Sequence, residues 1–272
     1  MPELPEVETL TLQLKSALKG RTISGTEIRN PSLLKMPRDG FEKKIIGKKI
    51  VQIERKGKYI RMDLAEEKVL WFHLGMTGQL LLEPPSLPLR PHTHFILSFL
   101  DSGNRLIYRD PRRFGRIELT PARESQFPAG VRRLGPEPSH WSREAFVSFF
   151  KQRRGRIKNL LLNQTLVAGL GNIYADESLY RAGIRPLRRA CRVGRQRLER
   201  LHAALCEVLE EAIHWGGSSI EDYLHLDGKA GGFQRFHRVY GRGGEACGGC
   251  GSSIQTVKLA GRTSAFCPRC QR

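Results

Sequence analysis

The chain has 272 residues, enough for two domains that each bury a core of their own. Lys and Arg number 46 against 27 Asp and Glu, a net charge of +19 that asks for a polyanionic partner, nucleic acid or an acidic membrane surface. No stretch approaches the roughly 20 apolar residues of a membrane-spanning helix, and no basic segment followed by an apolar one opens the chain, so a soluble intracellular protein is expected.

Leu4, Val7, Thr11, Leu14 and Leu18 recur at i, i+3 and i+4, which predicts a helix with one buried face running to Gly20. Removal of Met1 would leave Pro2 as a free secondary amine at the positive end of that helix. An α-amino group is half deprotonated at roughly pH 7.7 to 8.0, and such an amine condenses with a sugar C1′ to an iminium without a cofactor. Glu3 and Glu6 favour the protonated amine, yet a carboxylate beside it is also what a proton shuttle needs. The same residues equally describe an ordinary capped helix with acids in its first turn.

After Gly20 the pattern turns to β, with strands expected at 45–53, 59–64, 69–74, 79–83, 93–100, 105–108 and 116–119. Short strands separated by turns such as Asp101-Ser102-Gly103-Asn104 predict an antiparallel sandwich capped by the N-terminal helix, and proline-rich 84–91 reads as a surface loop. Lys56-Gly57-Lys58-Tyr59 puts cations at a strand start, where a lysine reaches a phosphate or simply meets solvent. His73-Leu74-Gly75-Met76-Thr77-Gly78 leaves a methionine at the tip of a glycine-bounded turn. Arg109-Asp110-Pro111-Arg112-Arg113-Phe114-Gly115 sets arginines around a phenylalanine in a loop. Proteins that kink duplex DNA insert Phe or Met between base steps, and Met76, Arg112 and Phe114 together have that chemistry.

A proline-bearing linker is expected at 130–140, and helices at 142–152, 157–162, 173–182 and 195–215. Between the second and third lies the glycine-bearing turn 163–172, whose free N–H groups at a helix start suit a phosphate, with Asn172 to cap or donate and Arg154, Arg156 and Lys158 upstream. A helix-turn-helix of purely structural purpose would look the same. The polar, glycine-rich stretch 218–234 is long for a loop and reads as functional or disordered. Cys247-x2-Cys250 and Cys267-x2-Cys270, sixteen residues apart, have four-thiolate zinc spacing; disulfides are the alternative, and nothing suggests export. The residues between them predict a hairpin at 254–259 and 264–266 with Lys258 and Arg262 near its tip, a ribbon able to enter a DNA groove. Cys191 and Cys206 lack ligand spacing and read as structural thiols.

The motifs Pro2-Glu3-Leu4-Pro5-Glu6-Val7-Glu8, Lys58-Tyr59, His73-Leu74-Gly75-Met76, Asp110-Pro111-Arg112-Arg113-Phe114-Gly115, Gly169-Leu170-Gly171-Asn172-Ile173-Tyr174, Val239-Tyr240-Gly241-Arg242 and the cysteine ribbon stand in an order that resembles the bacterial formamidopyrimidine-DNA glycosylases from end to end. The resemblance implies an α+β protein: a β-sandwich catalytic domain at 1–130, a linker at 131–140, a helix-two-turn-helix domain with a lesion-recognition loop at 141–235 and a zinc-ribbon finger at 236–272, gripping DNA between domains. It implies base excision repair of oxidised purines such as 8-oxoguanine and formamidopyrimidines, with Pro2 as nucleophile, Glu3 as proton donor and acceptor, Lys58 assisting β-elimination and Arg262 the δ step. Met76, Arg112 and Phe114 would fill the hole left by the flipped nucleotide, and the 218–234 loop would close over the extruded purine. His73, His92, Arg154, Lys158, Asn172 and Tyr240 would contact DNA, and Cys247, Cys250, Cys267 and Cys270 would hold one structural Zn2+. The partner would be damaged double-stranded DNA, bound by a monomer, with no membrane, in the bacterial cytoplasm at the nucleoid. Pro-Glu-Leu-Pro-Glu at the start favours this branch over the endonuclease VIII type. Thr11 and Gln13 stand where relatives often have arginine, a difference expected to touch only the helix surface, and Asn163 replaces a frequent aspartate. A non-catalytic zinc-ribbon sensor of damaged DNA would share the charge, ribbon and wedge but has no use for a free proline beside Glu3; an RNA or ribosome binder would show no lesion preference.

Overall fold

The computed structural model describes residues 1–100, 103–220 and 222–272; Asp101 and Ser102 of the expected turn and Glu221 of the 218–234 stretch lie outside the described residues. Contacts divide the chain into two compact units, Met1–Arg132 with Trp215–Gly232, and Arg133–His214 with Phe233–Arg272. No helix among the described residues is long and apolar enough to cross a membrane.

In the first unit, helix α1 (Leu4–Leu18) starts where Glu3 and Glu6 form a reciprocal capping box and Pro5 occupies the first turn, where a missing N–H costs nothing. Its Val7, Leu10, Leu14 and Leu18 are fully buried, each contributing about 1.5–3 kcal/mol of apolar burial. They enter one core with two four-stranded antiparallel sheets. The first sheet has the order β1 (Ile23–Ile28), β6 (Thr93–Phe99), β7 (Arg105–Arg109), β5 (Gln79–Glu83). The second runs β2 (Ile50–Lys56), β3 (Tyr59–Leu64), β4 (Lys68–His73), β8 (Arg116–Pro121). Alternation sorts the faces: Ile60, Met62 and Leu64 of β3 all turn into the shared core. On β4, Leu70 and Phe72 join that core while Val69 and Trp71 meet Phe127 and Val131 on the opposite face, so this strand is buried on both sides.

Three elements depart from the sequence pattern. Residues expected to begin a strand at 45 close a helix instead, α2 (Arg38–Ile45), entered through Pro37. Only Phe41 and Ile45 of α2 are buried, too few to show a period, and Phe41 packs edge-on against Phe95 at 5.8 Å. Strand β1 was also absent from the expectation; its burial is confined to its ends. The start of the expected linker is a short helix, α3 (Ala129–Arg132), with Val131 buried.

The second unit contains α4 (Arg143–Lys151), α5 (Ile157–Leu162), α6 (Asn172–Arg181) and α7 (Arg195–His214), then the hairpin β9 (Gln255–Leu259) and β10 (Arg262–Phe266). Ser142 caps α4 by accepting from Ala145 N at 3.2 Å. Leu198, Leu201, Leu205 and Leu209 form the buried stripe of α7. The hairpin is not a separate body. Asp176 of α6 accepts from Ser264 Oγ at 2.7 Å and Ala265 N at 3.1 Å, and Glu177 accepts from the backbone N–H groups of Arg238, Val239 and Tyr240 at 2.8–3.0 Å. Contacts thus draw the units differently from the sequence boundaries: the ribbon joins the helices, and 215–232 joins the sandwich.

Candidate active site and nucleic-acid interface

Pro2 is buried immediately before α1, while Met1 is exposed. Glu3 is only 2 % exposed, and its N–H donates to Glu6 Oε2 at 2.8 Å. The other Glu6 oxygen accepts from Ser218 N at 2.7 Å, so both Glu6 oxygens are engaged, while the Glu3 side chain accepts from the Glu6 backbone N–H in the capping box. Pro2 and Glu3 are thereby held in a fixed, largely dry setting.

Lys58 lies in the two-residue turn between β2 and β3, with Gly57 at φ 58°, the left-handed position such hairpins require. Although at a turn, Lys58 is buried. Tyr59 pairs with His73 across the sheet, their rings 4.7 Å apart. The His73 imidazole is pushed down to about 4, first by burial and then by the charges of Lys58 and Arg116. Its Nδ1 accepts from Gly75 N at 3.3 Å, which places the proton of the neutral ring on Nε2.

The turn bearing Met76 and the loop bearing Arg112 and Phe114 come together. A Cβ on Gly75 would stand 2.7 Å from the backbone of Phe114 and Gly115, and one on Gly115 would stand 1.6 Å from the Tyr108 hydroxyl, so both contacts admit only glycine. Asp110, fully buried, organises the junction: it accepts from Gly115 N at 2.8 Å, Arg112 N at 3.2 Å and the Thr77 hydroxyl. Met76 (39 % exposed) and Phe114 (52 % exposed) project from this rigid base, and the Arg112 guanidinium lies 4.9 Å from the Phe114 ring centre. His92 is exposed, in a left-handed conformation (φ 64°), and its carbonyl accepts from Asp110 N at 3.0 Å. Sequence reasoning overlooked Asp110, though an Asp two residues before a free N–H is a turn signal.

Segment 215–232 is bound to the sandwich. Gln13 Oε1 accepts from Leu226 N at 2.9 Å, Leu82 N donates to Leu226 O at 2.9 Å, and Gln79 donates to Asp222 O. Tyr223 and Leu226 enter the main core. Gln13 is therefore an anchor of this segment, correcting its expected place on an idle helix surface; Thr11 is buried too, its hydroxyl donating to Val7 O at 2.7 Å.

In the second unit, Arg154 is exposed, as a phosphate contact must be. Lys158 corrects its expectation: it is fully buried in a 2.7 Å ion pair with Asp176, so it organises the α5–α6 connection and cannot meet a phosphate. Burial pushes the Asp176 carboxyl up, against the pull of Lys158 and Ser264. In the connection, Gln164 donates to Leu170 O at 2.7 Å and accepts from Gly169 N at 3.0 Å, and Asn163 accepts from Thr165 N at 3.0 Å as an aspartate would. Asn172 donates from Nδ2 to Thr263 O at 2.8 Å, while its buried Oδ1 has no hydrogen-bond partner among the described residues. Tyr240 is held by the Glu177 contact. Arg262 and Lys258 are exposed beside the Ala260-Gly261 turn, both of whose residues have positive φ. The Cys247, Cys250, Cys267 and Cys270 sulfurs all lie within 4.8 Å of one another, with Cys250–Cys267 at 3.4 Å and Cys247–Cys270 at 3.9 Å. Four thiolates about 2.3 Å from zinc stand about 3.8 Å apart, so this set fits one structural zinc. Cys191 and Cys206 are free thiols outside it.

Comparison with known proteins finds three family models along the chain: the formamidopyrimidine-DNA glycosylase N-terminal domain at 1–117, its helix-two-turn-helix domain at 134–223, and a zinc finger found in these enzymes and isoleucyl-tRNA synthetases at 244–272. The chain is 47 % identical, over the full length of both, to a formamidopyrimidine-DNA glycosylase of Solibacter usitatus. It is 42 % identical to that of Desulforamulus reducens, over 100 % of this chain and 99 % of the other. Among solved structures it is similar to the Lactococcus lactis Fpg bound to abasic-site DNA, with TM-score 0.92, 37 % identity and 99 % of each chain covered. A variant of that protein with Fapy-dG-containing DNA gives TM-score 0.93 at 38 % identity over all of both chains.

Proposed function

The chain belongs to the formamidopyrimidine-DNA glycosylase family, and from that premise we propose that it excises oxidised purines, 8-oxoguanine and formamidopyrimidines, from duplex DNA and then nicks the strand by β,δ-elimination. Once Met1 is removed, the Pro2 nitrogen attacks C1′ of the lesion nucleotide and the C1′–N bond to the base breaks. Glu3 gives a proton to the sugar ring oxygen as the ring opens to an iminium, and then accepts one. Loss of a C2′ proton expels the 3′ phosphate, with Lys58 assisting. Arg262 assists departure of the 5′ phosphate. Met76, Arg112 and Phe114 occupy the space left by the extruded nucleotide. His73, His92, Arg154, Asn172 and Tyr240 contact the DNA, and zinc, when bound, gives the ribbon its folded shape. The proposal includes action as a monomer, in the cytoplasm at the nucleoid, on DNA drawn by the +19 net charge.

The observation that carries this reading is the buried Pro2-Glu3 pair, fixed by the Glu6 carboxylate at the head of α1. A non-catalytic sensor needs no such setting. Borohydride reduction with abasic-site duplex traps the protein covalently through residue 2 if the reading is right. Pro2→Gly retains duplex affinity and loses excision by at least about a hundredfold. Excision at the parental rate in that variant refutes the N-terminal mechanism.

A further inference from the structure

On the helical unit a basin of about 490 Å³ is lined by Arg156, Leu187, Arg188, Arg189 and Arg192. Its walls are set by backbone pairing: Ile157 N donates to Arg188 O at 2.8 Å, and Ala190 N and Cys191 N donate to Gly155 O and Arg153 O at 2.9 Å. Arg156 and Arg189 stand opposite each other in an antiparallel bridge. The four guanidiniums are exposed, and none has an ion-pair partner among the described residues. Neither 153–158 nor 186–198 contains an acidic residue. Arg154 and the ribbon tip, assigned above to DNA, are not in the lining.

Convergence of four like charges on a backbone-fixed concavity is unfavourable until an anion enters it. Guanidinium forks match phosphate oxygens two at a time, and the volume is that of a small-molecule site. Leu187, 37 % exposed, adds an apolar patch. We propose that this basin is a binding site for a compact polyphosphate, two or three linked phosphates, free or carried on a nucleoside.

The test is calorimetric titration of the full chain with inorganic tripolyphosphate at about 0.15 M salt, where attraction beyond about 8 Å is screened. One-to-one binding is expected, weakened about tenfold or more in Arg188→Gln with Arg189→Gln. Lys43→Gln with Lys44→Gln removes the same two charges from α2 and leaves binding unchanged. Equal loss in both double variants, or no saturable binding by the parent, overturns the site. Displacement of tripolyphosphate by an undamaged duplex also overturns it, since the arginines would then belong to the DNA track; binding that persists with the duplex present is expected. Arg192→Gln repeats the measurement should the double variant fail to fold.

Discussion

His73 sits against Tyr59 with Lys58 and Arg116 as its charged neighbours, and all three effects, burial first, oppose its protonation. Its folded value of about 4 lies below the ordinary 6.5, so the unfolded chain takes up the proton first on acidification. Stability from this residue is therefore complete above about pH 6.5 and falls as the pH drops toward 4, by on the order of 3 kcal/mol. NMR titration of the ring should give a midpoint near 4, and His73→Asn should flatten the acid limb of the unfolding curve between those values. A midpoint near 6.5 would show that neither burial nor the charges of Lys58 and Arg116 hold the ring neutral. Residues that speak for themselves in the sequence are those with an unusual chemistry at an unusual place: Pro2, Phe114 among arginines, the paired cysteines. Asp176, Glu177 and Gln13 were not legible, because an acid or amide gains its role from donors supplied 61 to 213 residues away. Lys158 misled for the same reason: a basic residue near a glycine-bearing turn carries no mark of the buried Asp176 that claims it.

Among the elements, the two apposed turns around Gly75 and Gly115 decide whether Met76, Arg112 and Phe114 act as one wedge. Gly115→Ala sets a methyl 1.6 Å from the Tyr108 hydroxyl, and relief requires the loop to move. The expected cost is about 1–3 kcal/mol of stability, seen as a lower denaturant midpoint, together with weaker binding of abasic-site duplex. Unchanged affinity would separate the wedge residues from the junction that supports them. The same scale shows what patterns reveal. Helices α1 and α7 announce themselves through four or more buried apolar residues in register. Helix α2 does not, since its charged run Arg38, Asp39, Glu42, Lys43, Lys44 leaves Phe41 and Ile45 as its whole buried face. Strand β1 is hidden likewise, with Ser24 to Glu27 partly exposed between two buried isoleucines.

For the whole molecule, the ribbon and the helices form one unit because buried carboxylates of α6 bind the ribbon's backbone. Removing zinc with a chelator should free the strand that carries Ser264 and Ala265, leave Asp176 and Glu177 short of donors, and loosen α6 as well as the hairpin. Hydrogen exchange should then rise across 172–181 and 236–272 while the amides of the sandwich keep their protection; exchange confined to the hairpin would show the α6 tie to be weak. The sandwich, for its part, claims a stretch of chain that follows α7 and hands the polypeptide back at Phe233. The backbone consequently passes from one unit to the other three times, after 132, after 214 and after 232. A protease nicking any one junction leaves the halves still joined covalently, and exchanging the helical half for that of a relative requires three splices made together.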